Sequence, residues 1–490
     1  MTGTGSRRPP RSATTPGQRT RHAEPTRATA YRLLRAVADG AYANLELPRL
    51  LRRARLSGRD AAFTTELAFG TLRNRSFYDA VIARAADRAV TRIDDEVLDV
   101  LRLGVHQLLG MRVPDHAALD QTVGLARAVV SQGAGGFVNA VLRRVSEADR
   151  DTWLDRVRPD GGGMAALALE WSHPEWIVGA LRAALIGHGA AGAESSDTAL
   201  ADLLRVDNEP AKVTLVARPG LTTVADLVAQ GGVAGAWAPT AVVLDSGQPA
   251  DLAEVRDGRA AVQDEGSQLI ALALAAVPTG VQGRAKGRWL DLCAGPGGKA
   301  GLLAGLAPYA GADLVANEVS EHRADLVRQT LAPAIEAAAA RGCTVEVRTG
   351  DGRNYGEDEP GGYERVLVDA PCTGLGALRR RPEARWRRQP GDVTALGPLQ
   401  RDLLRSALAA VAPGGVVAYA TCSPHLAETT FVVRDVVRKR DDVEVLDARA
   451  FVEEASGGAL TDLGEGPHVQ LWPHLHGTDG MFLALLRRTH

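Results

Sequence analysis

Two of the chain's four cysteines occupy settings suited to thiol chemistry. Cys372 lies in Val368-Asp369-Ala370-Pro371-Cys372-Thr373-Gly374-Leu375-Gly376. Cys422 lies in Tyr419-Ala420-Thr421-Cys422-Ser423-Pro424. Each follows a short apolar run, Arg365–Asp369 and Val416–Thr421, and each is followed by turn-forming residues. If the two runs are neighbouring strands, both thiols converge on one cleft. A lone cysteine usually behaves as a small buried hydrophobe. Cys343, and in the main Cys293, are read that way. A pair at two strand ends, with Asp369 beside it, points instead to thiolate nucleophilic catalysis.

A second group of residues points to a nucleotide-like ligand. Leu290-Asp291-Leu292-Cys293-Ala294-Gly295-Pro296-Gly297-Gly298-Lys299 leaves a predicted strand through a glycine turn and enters a helix. Glycines let the backbone turn sharply and approach a ligand closely, beside a helix N-terminus. Glu318 follows about 20 residues on, at the end of the next predicted strand, where a carboxylate can accept from both ribose hydroxyls. Asp351, in Thr349-Gly350-Asp351-Gly352, ends the third strand and can accept from an adenine amine. Together they describe a pocket for an adenosine-containing cofactor. Gly295, Gly297 and Ala300 also satisfy G-x-G-x-x-A, so an NAD(P)-dependent oxidoreductase stays open on this evidence. That reading leaves Cys372 and Cys422 unexplained, and Pro296 and Lys299 are unusual inside such a loop.

Strand ends must gather these residues. From Gly287 onward, apolar runs at Arg288–Leu292, Leu314–Asn317, Thr344–Arg348, Arg365–Asp369, Val416–Thr421, Val443–Leu446 and Met481–Leu486 alternate with helical segments. Such alternation predicts a parallel sheet with helices on both faces and ligands at the carboxyl ends of the strands. The chain divides accordingly. Residues 1–24 form a basic tail expected to be disordered. Residues 25–150 form an all-helical domain, with Tyr31, Leu33, Leu34 and Val37, then Leu98, Leu101, Val105, Leu108 and Leu109, at helix spacing. Gly70, Gly104 and Gly110 punctuate it. Residues 151–163, with Pro159, Asp160 and three successive glycines, are a linker. Residues 164–260 form a small α+β subdomain with strands at Ala211–Ala217 and Ala241–Leu244 and a loop over Gly187–Ser196. The catalytic domain spans 261–490.

The 490 residues carry a formal charge of -2, with 57 basic and 59 acidic side chains. Taken alone, such a balance argues against a nucleic-acid partner. Its distribution does not: the first 150 residues hold a basic excess and the remainder an acidic one. Two arginine clusters are candidate phosphate-contacting faces. One is Arg49, Arg52, Arg53, Arg55 and Arg59. The other is Arg379, Arg380, Arg381, Arg385, Arg387 and Arg388, interleaved with Trp386 beside the Cys372 loop. Four cysteines without a C-x-x-C pair predict neither a disulfide framework nor a zinc site. No apolar run reaches membrane-spanning length, and the N-terminus lacks a secretory h-region. A cytoplasmic protein, monomeric and free of metal, is expected.

Asp369–Gly376 together with Thr421-Cys422-Ser423 resembles the two-cysteine RNA cytosine-5 methyltransferases of the RsmB/Sun type. Cys293–Lys299 resembles their S-adenosylmethionine loop. Residues 67–75, 101–125 and 137–144 resemble the NusB-like RNA-binding domain that precedes the catalytic domain in bacterial members. Trp171–Trp176, Gln263–Gln268 and Gly477–Phe482 fit the same family. The resemblance implies a multidomain fold: an all-α NusB-like domain, a small α+β subdomain and an α/β Rossmann-like methyltransferase domain. It implies S-adenosyl-L-methionine held by Cys293, Ala294, Gly295, Pro296, Gly297, Gly298, Lys299, Glu318, Asp351 and Asp369. Small-subunit (16S) ribosomal RNA is the implied partner. Cys422 is then the nucleophile on cytosine C6, Cys372 the base that removes the C5 proton, and Asp369 a hydrogen-bonding partner of the base near N3 and N4. Lys299 positions Asp369 or the base. The chain departs from the family in having Gly295 where Ala is usual and Glu318 where Asp is usual. A non-catalytic NusB-like RNA-binding factor, or a methyltransferase acting on protein or small molecules, are the rival readings. Neither requires two thiols.

Overall fold

The computed structural model describes residues 23–490, apart from Ser246 and Arg284. Most of the predicted basic tail therefore lies outside the described residues. The chain forms two compact units. One holds the described residues up to Ala41, with Glu46–Thr71 and Tyr78–Val157. The other holds Tyr42–Leu45, Leu72–Phe77 and Arg158–His490.

The first unit is helical. Its opening helix, Pro25–Ala38, starts at proline, whose missing N–H costs nothing there. The Glu24 carboxylate accepts from the Thr26 and Arg27 N–H groups at 3.2 and 3.1 Å. Leu33, Leu34 and Val37 face inward. Helices Asp95–Leu109, Asp115–Val129 and Ala134–Val145 follow, with Leu101, Leu103, Val105, Leu125 and Leu142 buried. Gly110 does end a helix, but Gly70 and Gly104 lie inside helices. At Gly104 a Cβ would stand 2.5 Å from Leu142 Cδ1 and 3.1 Å from Thr122 Cγ2. Helix packing, rather than a break in the helix, requires glycine there. The predicted linker 151–163 is also partly helical. Arg150–Val157 is a helix, its start held by Asp149 Oδ1 accepting from Thr152 N–H at 2.9 Å. Trp153 is buried and donates to Val145 O at 2.8 Å. The buried indole overrides the loop signal of the glycines that follow. All five arginines from Arg49 to Arg59 are exposed.

The second unit begins with helices Gly163–Glu170, Glu175–Gly187 and Ser196–Asp207. A four-stranded antiparallel sheet follows, with Val213–Ala217 paired to Ala241–Leu244 and Ala260–Val262, and Gly232–Ala234 on the far side of Ala241–Leu244. The larger sheet contains β1 (Gly287–Asp291), β2 (Ala312–Glu318), β3 (Val345–Thr349), β4 (Tyr363–Asp369), β5 (Val411–Thr421), β6 (Val443–Leu446) and β7 (Phe482–Arg488). Their order is β6-β7-β5-β4-β1-β2-β3, with the short strand Val469–Gln470 also paired to β7. β1 to β5 are parallel, as the alternation predicts. β7 is antiparallel to both β5 and β6, which the sequence reading did not foresee. An alternating burial pattern is the same whichever way a strand runs, so direction is not legible in it.

Alternation splits the sheet's side chains between two cores. Trp289, Leu314, Leu367, Val416, Ala418, Ala420 and Leu483 pack with Leu269, Leu303 and Val327 from helices Glu265–Ala276, Gly298–Leu306 and Glu321–Ala340. Leu290, Val315, Val366, Val368, Val417, Tyr419 and Phe482 pack on the other face with Leu403, Leu404 and Leu408 of helix Pro390–Ala410. Each buried Leu, Val or Phe among them contributes roughly 1.5–3 kcal/mol by leaving water. These cores hold the strand ends still.

Helical glycines should separate by packing. Gly104→Ala is expected to lower the denaturation midpoint, because overpacking costs about 1–3 kcal/mol. Gly124→Ala meets nothing within 4 Å and should raise it, since alanine is favoured in helices by about 1 kcal/mol. Equal shifts in the two variants would refute the packing role of Gly104.

Candidate active site

The carboxyl ends of β1 to β5 form one edge of the sheet. Register aligns them: Asp291 pairs with Ala316 of β2 and Leu367 of β4, Glu318 with Thr349, and Asp369 with Ala420. The chain leaves β4 and β5 at neighbouring positions, so Cys372 and Cys422 emerge side by side. Their Sγ atoms are 3.4 Å apart, both are free thiols, and both are half-buried. Cys422 O accepts from Gly376 N–H at 2.9 Å, which ties the two loops together.

The two thiols differ in protonation. The shared hydrogen bond is the main influence on each. It holds Cys422 below the usual thiol range, with Lys299 and Arg381 adding to the effect against burial and Asp369. The same bond, then burial, then the negative charges of Glu428 and Asp369 push Cys372 well up. The contact thus favours Cys372 as the donor and Cys422 as the acceptor and the more readily ionised thiol. Beside it, Lys299 Nζ donates to Asp369 Oδ2 at 2.8 Å. Burial alone would lower the Lys299 ammonium, but the Asp369 charge outweighs it and raises it.

The glycine turn lies against β2. Ala294 N–H donates to Asn317 O at 2.8 Å, and Gly297 N–H to Ala294 O at 2.7 Å. Gly297 has φ 109°, and helix Gly298–Leu306 starts directly after it. Pro296 is exposed at the tip. Glu318, buried, accepts from Gly295 N–H at 3.2 Å and Ser320 N–H at 3.1 Å, and pairs with Arg323 at 3.2 Å. A Cβ on Gly295 would stand 2.2 Å from Glu318 Oε2 and 2.8 Å from Arg323 Nη2. The two departures from the family pattern are therefore one: the missing methyl makes room for the longer carboxylate. Cys293 is half-buried against the core with its thiol pushed up by burial, and Cys343 is buried. Asp351 does not join the group. It accepts from Arg353 N–H at 3.0 Å and forms a two-pronged ion pair with the Arg353 guanidinium.

Sequence reading passed over several residues of this edge. Asn317 donates to Leu292 O and Gly350 O, both at 3.0 Å, and so stitches three strand ends together. Asp291 is buried, and among the described residues its Oδ2 has no hydrogen-bond partner. Burial, helped by the Asp369 charge, pushes its carboxyl up to about 7. Glu428 is fully buried between the two cysteine loops. None of these carries a spacing signal, because each matters only through partners far away in sequence.

The arginine run after Cys372 needs correction. Arg379 and Arg385 are buried. Arg379 donates to Gly477 O at 2.5 Å, and Arg380 pairs with Asp479 at 2.9 Å and Asp264 at 2.7 Å. Arg385 donates to Asn208 Oδ1 and Asp207 O, both at 2.6 Å. Buried guanidiniums demand such partners, and these three are spent on holding the loop. Arg381 is exposed, with Arg387 and Arg388 half-exposed. Gly376 and Gly480 touch: a Cβ on Gly376 would fall 2.0 Å from Gly480 O, so the Gly477–Met481 segment docks on the Cys372 loop through two glycines. Among the described residues no cluster of His, Cys, Asp and Glu is arranged to hold a metal. No described helix is long and apolar enough to cross a membrane.

Residues 279–487 match the family model described as 16S rRNA methyltransferase RsmB/F, and residues 24–147 match the NusB family. A Mycobacterium tuberculosis protein assigned as a methyltransferase is 52% identical over 476 residues, covering 96% of this chain and 98% of that protein. The ribosomal RNA small subunit methyltransferase B of Pseudomonas putida is 31% identical over 471 residues, 94% of this chain and 98% of the relative. The crystal structure of PH0851 shares the fold over 95% of this chain and 99% of its own length, with TM-score 0.75 at 19% identity.

Gly295→Ala should lower the thermal midpoint by displacing the Glu318 carboxylate. Adding Glu318→Asp to it should recover most of the loss. Simple addition of the two single-variant effects would show that the residues are not coupled.

Proposed function

This chain belongs to the RsmB/F family of methyltransferases, and from that premise we propose that it methylates C5 of a cytosine in 16S ribosomal RNA through a two-thiol mechanism. The supporting observation is the 3.4 Å thiol contact next to the Lys299–Asp369 pair. Hydride transfer would leave that pair without work.

The chain's residues fit the cofactor that such a reaction needs. S-adenosyl-L-methionine, when bound, supplies an electrophilic methyl group. Glu318, at the end of β2, suits the ribose hydroxyls, and the 293–299 turn lets a ligand approach the backbone. The unpartnered Asp291 Oδ2 suits a cationic or N–H group. Asp351, expected at the adenine amine, is instead held by Arg353 and is left out of this set.

The proposed steps use few groups. The Cys422 thiolate adds to C6 of the base, and the electron pair of the C5–C6 bond moves toward C5. Asp369 hydrogen-bonds the base near N3 and N4, and Lys299 holds Asp369 in place. C5 takes the methyl group. Once Cys422 carries the base it is no longer a thiolate, so the main influence keeping Cys372 protonated is gone. Cys372 loses its proton to solvent, then takes the C5 proton. The electron pair left at C5 re-forms the double bond and expels Cys422 as thiolate. Arg381, the exposed arginine of the run, would contact phosphate, with the helical NusB-like domain as a further RNA surface. A paired target base must leave its stack to reach this cleft.

Cys422→Ala is expected to abolish methyl transfer to rRNA, read by bisulfite mapping. Cys372→Ala should leave the first bond intact and accumulate a covalent RNA–protein adduct on denaturing gels. Full activity in the first variant, or no adduct in the second, refutes the assignments.

Asp291 gives a pH signature. A cation beside it favours the ionised carboxylate, so binding must expel a proton below pH 7. Affinity for S-adenosylhomocysteine, measured by calorimetry, should weaken roughly tenfold per pH unit below 7. Asp291→Asn should flatten that profile. An unchanged slope in the variant would remove Asp291 from the site.

A further inference from the structure

Glu428 lies in the turn Leu426–Glu428, beyond β5, and is completely buried. Its carboxylate reaches both cysteine loops. Oε1 accepts from Thr373 N–H at 2.8 Å and from Gln400 Nε2 at 3.3 Å. Oε2 accepts from Thr373 Oγ1 at 2.5 Å and from Ser423 Oγ at 2.6 Å. Thr373 follows Cys372 directly, and Ser423 follows Cys422. The two hydroxyls are 3.2 Å apart. Tyr419 of β5 donates to the Glu428 carbonyl at 2.8 Å and holds the turn itself. Gln400 also donates to Pro371 O at 2.8 Å, just before Cys372.

Four donors surround one carboxylate, and among the described residues no cation pairs with it. An ionised carboxylate is the side chain that can accept all four. A buried charge with this many donors is costly to form and firm once formed, since any slip leaves a donor unpaired. Such expense needs a reason in the fold. The cores on both sheet faces already secure β4 and β5, yet the loops that carry the thiols lie beyond the strands, where no ladder hydrogen bond fixes them.

We propose that Glu428 is the positioning residue of the thiol pair: by accepting from Thr373 and Ser423 at once, it sets the distance and orientation of Cys372 relative to Cys422. This rests on the two-thiol mechanism proposed above. Its charge has a second effect. Glu428 stands among the negative groups that keep Cys372 protonated, so it helps to make Cys422 the thiolate of the pair. Placement and protonation thus come from one side chain that touches neither substrate nor cofactor.

Glu428→Gln keeps the shape but presents an amide N–H₂ to one pair of donors, so two hydroxyls must reverse. A shift of about 1 Å in a reacting group costs roughly a hundredfold in rate. The full-length Gln variant should lose about that much in kcat on rRNA, with KM for RNA little changed. Thiol labelling gives a readout independent of methyl transfer. With iodoacetamide across pH 6–9, followed by peptide mass spectrometry, the wild type should label Cys422 well before Cys372. In Glu428→Gln that preference should shrink at least severalfold. Thr373→Val with Ser423→Ala, which removes the positioning contacts but spares the carboxylate, should lower kcat and shrink the labelling preference, though less than Glu428→Gln does; wild-type kcat and labelling in it would overturn the proposal. It also serves as the test if the Gln variant does not fold. Wild-type labelling order and kcat in Glu428→Gln would overturn the proposal. If the wild type transfers no methyl to cytosine but the labelling preference still collapses in Glu428→Gln, the two-thiol reaction fails while the positioning role stands.

Discussion

Two thiols can share one proton only if the strands that carry them stop at the same height. In this protein that condition is met by the parallel pairing of β4 and β5, in which Asp369 stands opposite Ala420. Cys372 and Cys422 follow within a few residues of that pair, and their sulfurs meet at 3.4 Å. A register slip of one residue would turn Val366, Val368, Val417 and Tyr419 from one core to the other. The hydrophobic packing of the two faces therefore specifies the thiol contact, although no core residue touches either sulfur. Beyond the strands the ladder ends, and polar groups take over. Glu428, Gln400 and the Gly376–Cys422 backbone bond hold the loops where apolar packing cannot.

The site concentrates negative charge at one edge of the sheet. Asp291, Glu318 and Asp369 close three neighbouring strands, and Lys299 answers only one of them directly. Arg323 pairs with Glu318 from the surface side. Among the described residues no cation pairs with Asp291, and burial, with the Asp369 charge, raises its carboxyl. On the proposed reading, this edge receives a ligand that brings its own cation and its own hydroxyls. The coupling of Gly295 to Glu318 fits that picture: carboxylate length and backbone bulk are adjusted together, so the turn still closes on β2.

Charge counting alone misjudges this protein in both directions. A net value of -2 hides exposed arginines on the helix Ala43–Ala54 and just after it. The denser run after Cys372 looks more basic than its surface is. Arg379, Arg380 and Arg385 turn inward to Asp264, Asp479, Asp207 and main-chain carbonyls. They hold the Gly477–Met481 segment and the helices near Asp207 against the catalytic loop. The guanidinium suits that work because it offers five donors in a rigid plane.

Local information placed most of the strand ends. The apolar runs located the strands of the larger sheet, and the positions of the glycine turn, Glu318, Asp369 and the paired cysteines at or just past strand ends were legible from their own neighbours, with Lys299 in the helix after the turn. What depends on distant partners was not legible. The antiparallel course of β7 was hidden because alternation carries no direction. The helix at Arg150–Val157 was hidden behind the glycines that follow it. Asp291, Asn317 and Glu428 gained their importance only from groups brought to them by folding, and the arginines lost theirs as free charges for the same reason. Sequence by itself determined which chemical groups are present and that strand ends would display them. The tertiary structure decided which thiol ionises more readily, because that depends on a 3.4 Å contact and on charges brought together from distant parts of the chain.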